Sequence, residues 1–174
     1  MGIYRLYQTV VALVYPAVLG TFLFTLPADL FANTSRQWLW DKFLLLMLFI
    51  HYVMDFLYTI IDGNSAAVQD EYSLKRGILD LLIVGCLYSA FNIAAGNRPF
   101  VAFEIRWVWW AMSFMKACAT AWELLPLKDW RKPLIDGCLC IVYLVLGLAA
   151  EDSLFLMVAV LFVDILFYIP FLGK

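Results

Sequence analysis

Apolar residues run along this chain in blocks of about twenty, separated by short polar stretches rich in proline, glycine and charge. The blocks are Leu6–Leu26, Trp38–Ile61, Gly77–Ala95, Phe100–Trp122, Pro133–Ala150 and Ser153–Leu172. That length is what an α-helix needs to cross a hydrocarbon core about 30 Å thick. Membrane β-strands would read as alternating segments of about ten residues. Backbone amides in lipid must be satisfied within the structure, so only helices and closed barrels can span it. The pattern predicts an all-α fold: a polytopic membrane helix bundle of about six transmembrane helices, forming one domain over residues 1–174.

Local signals punctuate the blocks. Pro16 predicts a kink in the first helix, and Pro27 with Asp29 its end. Ser35 stands where the second helix needs an N-cap, and Asp62-Gly63-Asn64-Ser65 stops it. Gly96-Asn97 closes the third, as glycine and asparagine do past a helix end, and Pro99 opens the fourth. Pro126 to Lys132 reads as a short basic turn, and Glu151-Asp152 as the tightest connection.

Composition agrees with this pattern. Hydrophobic residues make up 65% of the 174, against about 45–50% in soluble domains. The longest polar stretch, Asp62 to Arg76, is too short to fold alone. The first block is too long for a signal-peptide core and lacks a small-residue cleavage site, so it reads as a retained helix. Cys86, Cys118, Cys138 and Cys140 all lie inside apolar runs, where a free cysteine behaves as a small hydrophobe.

Charge sets the orientation. Arg5, Lys75, Arg76, Lys128, Arg131, Lys132 and Lys174 flank the spans on the side of the N-terminus, against Arg36, Lys42 and Arg98 on the other. The positive-inside rule then puts the N-terminus and C-terminus in the cytoplasm. Trp38, Trp40, Trp107, Trp109, Trp122 and Trp130 fall near the expected interfaces, as an aromatic belt requires. The expected location is a bacterial inner (cell) membrane, multi-pass. The basic residues are scattered rather than clustered, which argues against nucleic acid as a partner. The expected partners are the lipid bilayer and either further copies of the chain or a membrane partner subunit.

The most informative residues are the polar ones inside the apolar blocks, where an Asp, Lys or Arg costs roughly 2.5–3.5 kcal/mol at a helix centre. His51 and Asp55 are four residues apart on one face of the second helix. Asp80 stands in the third, and Asp136 near the start of the fifth. Arg106, Ser113, Lys116, Thr120 and Glu123 form a polar stripe along the fourth. Asp164 lies close to the middle of the sixth, one turn before Tyr168. Converging faces would make an acidic, water-accessible cavity holding one lysine. Such groups mark proton relays and cation pathways. A structural reading stands beside this one. Asp80 follows Arg76 by four residues and Asp136 follows Lys132 by four, a spacing that predicts interfacial ion pairs. Arg106 at the outer end suits a snorkelling side chain.

Enzyme motifs fail residue by residue. Asp62-Gly63-x-x-Ala66 with Gly77 and Asp80 partly resembles the signature of the CDP-alcohol phosphotransferases, which are also small six-span proteins. Ala67, Thr59 and Val84 stand where that signature needs an arginine and two aspartates. The single histidine excludes bis-histidine haem and His-Glu-x-x-His zinc sites, and no cofactor is expected. Size and span number resemble the substrate-binding subunits of energy-coupling-factor vitamin transporters. Their alanines spaced by three are not matched in the first helix, where Ala12 and Ala17 stand five apart.

The sequence therefore leads to an expectation of a transport-class channel or carrier subunit handling protons or a cation. Asp164, Asp55, His51, Lys116, Asp80, Glu123, Arg106 and Asp136 would supply its ion- or solute-binding groups. A solute-binding subunit of a larger transporter and a non-catalytic accessory subunit are the alternatives.

Overall fold

A computed structural model describes residues 10–31, 37–63, 74–95, 105–125, 130–149 and 153–172. Among them stand six α-helices: α1 (Tyr15–Phe31), α2 (Gln37–Gly63), α3 (Leu74–Ala94), α4 (Ile105–Leu124), α5 (Arg131–Ala149) and α6 (Leu154–Leu172). A π-helical turn, Val10–Val14, leads into α1. The expected Ser35 cap, Asn64-Ser65, Gly96-Asn97, Pro99, Glu151-Asp152, and the flanking Arg5, Arg36, Arg98, Lys128 and Lys174 lie outside the described residues.

Each apolar block contains a helix among the described residues, and the ends differ for physical reasons. A π-helical turn, Val10–Val14, stands just before Pro16, where the sequence predicts a kink. Proline lacks an N–H and crowds the carbonyl four residues back, and a widened turn relieves both. The expected end at Leu26 is overturned, because α1 runs through Pro27 to Phe31. Proline's fixed φ is itself helical, so it removes one hydrogen bond without forcing a stop. Helices α3 and α5 begin earlier than expected, at Leu74 and Arg131, so that Lys75, Arg76, Arg131 and Lys132 belong to first turns. Pro133 fits in the first turn of α5, where its missing N–H has no partner to lose. Ser153 caps α6, its Oγ accepting from the Leu156 N–H at 3.4 Å.

Among the described residues, four helices are long and apolar enough to cross a membrane: those containing Val10–Pro27, Trp40–Ile60, Leu74–Ala94 and Arg131–Ala149. Helix α6 offers a shorter apolar stretch, Leu154–Pro170. Helix α4 carries Arg106, Lys116 and Glu123. The bundle exposes large apolar side chains and buries charged ones beside an apolar core. Phe24 is 86% exposed and Leu148 66%, while His51, Lys116 and Asp164 have no exposed surface.

Packing does not follow chain order throughout. Helix α4 lies between α3 and α5, and α2 packs on α6 and α3, with α1 laid against α2 and α3. Phe22 of α1 stacks on Phe91 of α3 at 4.1 Å and meets the edge of Tyr52 of α2 at 4.8 Å. Gly147 lets α5 come close to α4, since a Cβ there would lie 2.8 Å from Trp109 Cβ. Helices α5 and α6, consecutive in the chain, touch only weakly.

Candidate functional site

Helical spacing prepares the site before any tertiary contact forms. His51 and Asp55 lie one turn apart on α2, Asp164 and Tyr168 one turn apart on α6, and Asp136 and Tyr143 two turns apart on α5. Packing then turns these faces toward Lys116 of α4.

The centre is Asp164. Its Oδ2 lies 3.0 Å from His51 Nε2 and accepts from the Tyr143 hydroxyl at 2.9 Å. Its Oδ1 lies 2.6 Å from Lys116 Nζ. Lys116 Nζ also donates to Asp136 Oδ1 at 3.0 Å. Four helices thus meet through one continuous chain, Asp136–Lys116–Asp164–His51, with every member buried. One lysine serves two carboxylates, and the hydrogen bonds of Tyr143 and His51 complete the coordination of Asp164. Isolated charges would not survive such burial, because the cost of removing an ion from water is recovered only by close, well-bonded partners. His51 Nδ1 is buried and makes no hydrogen bond among the described residues.

A second cluster lies one turn away, around Asp55. Its Oδ2 accepts from the Tyr15 hydroxyl at 2.8 Å and its Oδ1 from Tyr168 at 3.3 Å. The Thr59 hydroxyl donates to the Asp55 carbonyl at 2.9 Å, and Tyr52 to the Tyr15 carbonyl at 2.7 Å. Tyr168 joins the two clusters. Its ring meets His51 edge-on at 5.2 Å and lies beneath Lys116 Nζ at 4.9 Å.

A third group sits where α4 ends and α5 begins. Glu123 forms an ion pair with Lys132 and accepts from the Tyr58 hydroxyl at 2.9 Å. A cavity of about 20 Å³ touches Asp55, Asp80, Glu123 and Lys132, and another of about 10 Å³ touches Lys116, Asp136 and Asp164. Each has room for about one water.

The structure therefore brings together His51, Asp55, Lys116, Asp136 and Asp164, with Asp80 and Glu123 at the neighbouring cavity. Arg106 stands apart, ten residues before Lys116 and so about 15 Å away along α4. The geometry of Asp136 corrects the ion pair expected from its spacing: it bonds to Lys116, while Lys132 turns to Glu123. An interhelical partner wins because it also neutralises Asp164. The cluster is closed rather than an open vestibule. Tyr15, Tyr143, Thr59 and Lys132 are site residues that sequence reasoning missed. Tyr143 carried a usable signal, being two turns from Asp136 on the same face. Tyr15 carried none, since its role depends on how α1 crosses α2. No protein-family model, curated protein or solved structure matches this chain.

Proposed function

We propose that this is a multi-pass membrane protein of the transport class, built to handle protons in the interior of its bundle. The observation that carries the reading is the buried chain Asp136–Lys116–Asp164–His51, continued through Tyr168 to Asp55 and Tyr15. Intramembrane carboxylates, lysines and histidines in mutual contact are the material of proton relays. Histidine is the side chain that exchanges a proton most readily near neutral pH. Cavities of about 20 and 10 Å³ suit proton transfer through a single water and leave no space for a hydrated metal cation.

In this reading the chain crosses the membrane six times with both termini cytoplasmic, in a bacterial inner membrane. The apolar exterior and the four long apolar helices support the membrane setting, and the excess of basic residues beside the N-terminal side supports the orientation. Protons would enter from the cytoplasmic end, past Glu123, Lys132 and Asp55, and reach the Asp164 cluster near mid-bundle. Asp164 and His51 would hold and pass the proton, and Lys116 would balance the carboxylates on either side of it.

A second reading rests on a separate observation. Beyond Asp164 the interior turns apolar, filled by Leu48, Trp109, Met112, Met157 and Leu161, all buried. A polar chain that ends half-way suits a subunit completed by a partner or a second copy.

The test is proton flux into liposomes holding the purified chain, with Asp164→Asn and His51→Phe beside the wild type. Flux that falls in both variants at unchanged helical content supports the relay. Flux unchanged in both variants removes these residues from the path. Absence of flux from the wild type, across pH and both signs of voltage, rejects autonomous conduction in favour of the partner-dependent reading.

A further inference from the structure

Helices α5 and α6 leave a cleft of about 440 Å³ between them. Leu134, Cys138 and Val142 form one wall, and Ala159, Val163 and Phe167 the other. The cleft exists because α6 is held elsewhere: it packs on α2, and its Asp164 pairs with Lys116 of α4. The facing residues of α6 at Ala159 and Val163 are too small to fill the gap. The lining is apolar throughout, so water inside would find no hydrogen-bond partner. The volume falls within the range of ligand pockets, about 300–1,000 Å³.

From Leu134 to Val142 the cleft runs about 12 Å along α5. An apolar cleft on the outside of an apolar bundle is a place for a hydrocarbon chain rather than for water. The end of the cleft carries the matching polar groups. Arg131 is exposed and stands one turn before Leu134 and Ile135, on the same face of α5. Beside it Trp130 is 67% exposed. Tryptophan and arginine together are the residues of a membrane interface, at the level of lipid headgroups. Arginine also meets phosphate with paired, charge-assisted hydrogen bonds.

We propose that this cleft binds one anionic phospholipid, an acyl chain lying between α5 and α6 and the phosphate at Arg131. The floor gives the lipid a purpose. Ile135, Leu139 and Phe167 line both the cleft and the small cavity beside Lys116, Asp136 and Asp164. One layer of side chains therefore separates the cleft from the buried charges, and a bound chain completes the seal against water. The proposal rests on the membrane setting and not on proton movement.

Native mass spectrometry of the full chain, released from detergent with phosphatidylglycerol or phosphatidylcholine of identical acyl chains, tests it. One phosphatidylglycerol should stay bound per chain, about tenfold tighter than phosphatidylcholine, as expected for a charge-assisted contact. Val163→Trp, at a half-exposed position, should fill the cleft and abolish retention of both lipids. Ala159→Phe should do the same and guards against misfolding of the first variant. Arg131→Gln should remove the preference and leave phosphatidylcholine binding unchanged. Phosphatidylglycerol retained equally by both cleft variants, with wild-type helical content, overturns the site. Equal retention of the two lipids by the wild type overturns the headgroup assignment. A dimer of the chain whose formation the cleft variants abolish overturns the lipid in favour of a second copy.

Discussion

The two halves of the bundle are held by different forces. On the side of Asp55, Glu123 and Lys132, helices are joined by ion pairs and tyrosine hydroxyls, as in Lys116 between Asp136 and Asp164. On the other side Phe22, Leu48, Phe91, Trp109, Met112 and Met157 interdigitate, and Gly147 brings α5 against Trp109. The difference teaches how a chain with an apolar exterior specifies its packing. Where apolar surface is plentiful, burial alone gives helices little reason to choose one neighbour over another, so shape and polar contacts decide. The closely packed half uses shape. The charged half uses partners that tolerate few alternatives, since a buried charge left unpaired is expensive.

The strongest way to break this contrast is to remove the shared cation. Lys116→Met leaves Asp136 and Asp164 without their lysine and should cost about 3–5 kcal/mol, read from unfolding in detergent. Adding Asp164→Asn should recover part of that loss, because one orphaned carboxylate is then neutral. A Lys116→Met protein as stable as wild type would reduce the network to an incidental contact.

The packed half should respond to a single methyl group. Gly147→Ala would put a Cβ 2.8 Å from Trp109 Cβ, and overpacking of this kind costs about 1–3 kcal/mol. A lowered melting temperature with an altered near-UV signal from tryptophan is the expected result. Gly85 has nothing within 4 Å of its Cβ position, so Gly85→Ala, which gains helix propensity without a clash, serves as the control.

Tyr15→Phe removes one donor from Asp55 and should cost about 1.5 kcal/mol, the low end of the range for a hydrogen bond to a charged group. Its size relative to Gly147→Ala tells how far α1 depends on the polar half. Differential scanning fluorimetry resolves that difference.

The smallest effect belongs to the boundary between the halves. Ser113 donates to the Cys140 carbonyl at 3.1 Å, and Ser113→Ala should cost about 0.6 kcal/mol, the average for a polar contact between membrane helices. A larger loss in chemical denaturation would move the boundary of the charged half outward.

Some of this was legible in the chain. His51 with Asp55, and Asp164 with Tyr168, share faces because the helical repeat fixes them, and that can be counted without a structure. The stripe on α4 was likewise visible, yet its members separate. Lys116 joins the centre, Glu123 a neighbouring pair, and Arg106 stands far from both. Periodicity places residues on a face and says nothing about which neighbour that face meets. Asp136 makes the same point, since its spacing from Lys132 suggested a pair that an interhelical partner displaces.

The sequence by itself determined the helices, the apolar exterior and the costly buried charges, because these follow from runs of local chemistry and a period of 3.6 residues. Only the tertiary structure decided that one lysine would serve two aspartates, that a tyrosine from α1 would cap Asp55, and that α5 and α6 would part to leave a cleft. Those outcomes depend on contacts between residues far apart in the chain, 40 positions for Tyr15 with Asp55 and 20 for Lys116 with Asp136. Such pairings are set by how the six helices divide a limited set of good contacts, and no local pattern encodes that division.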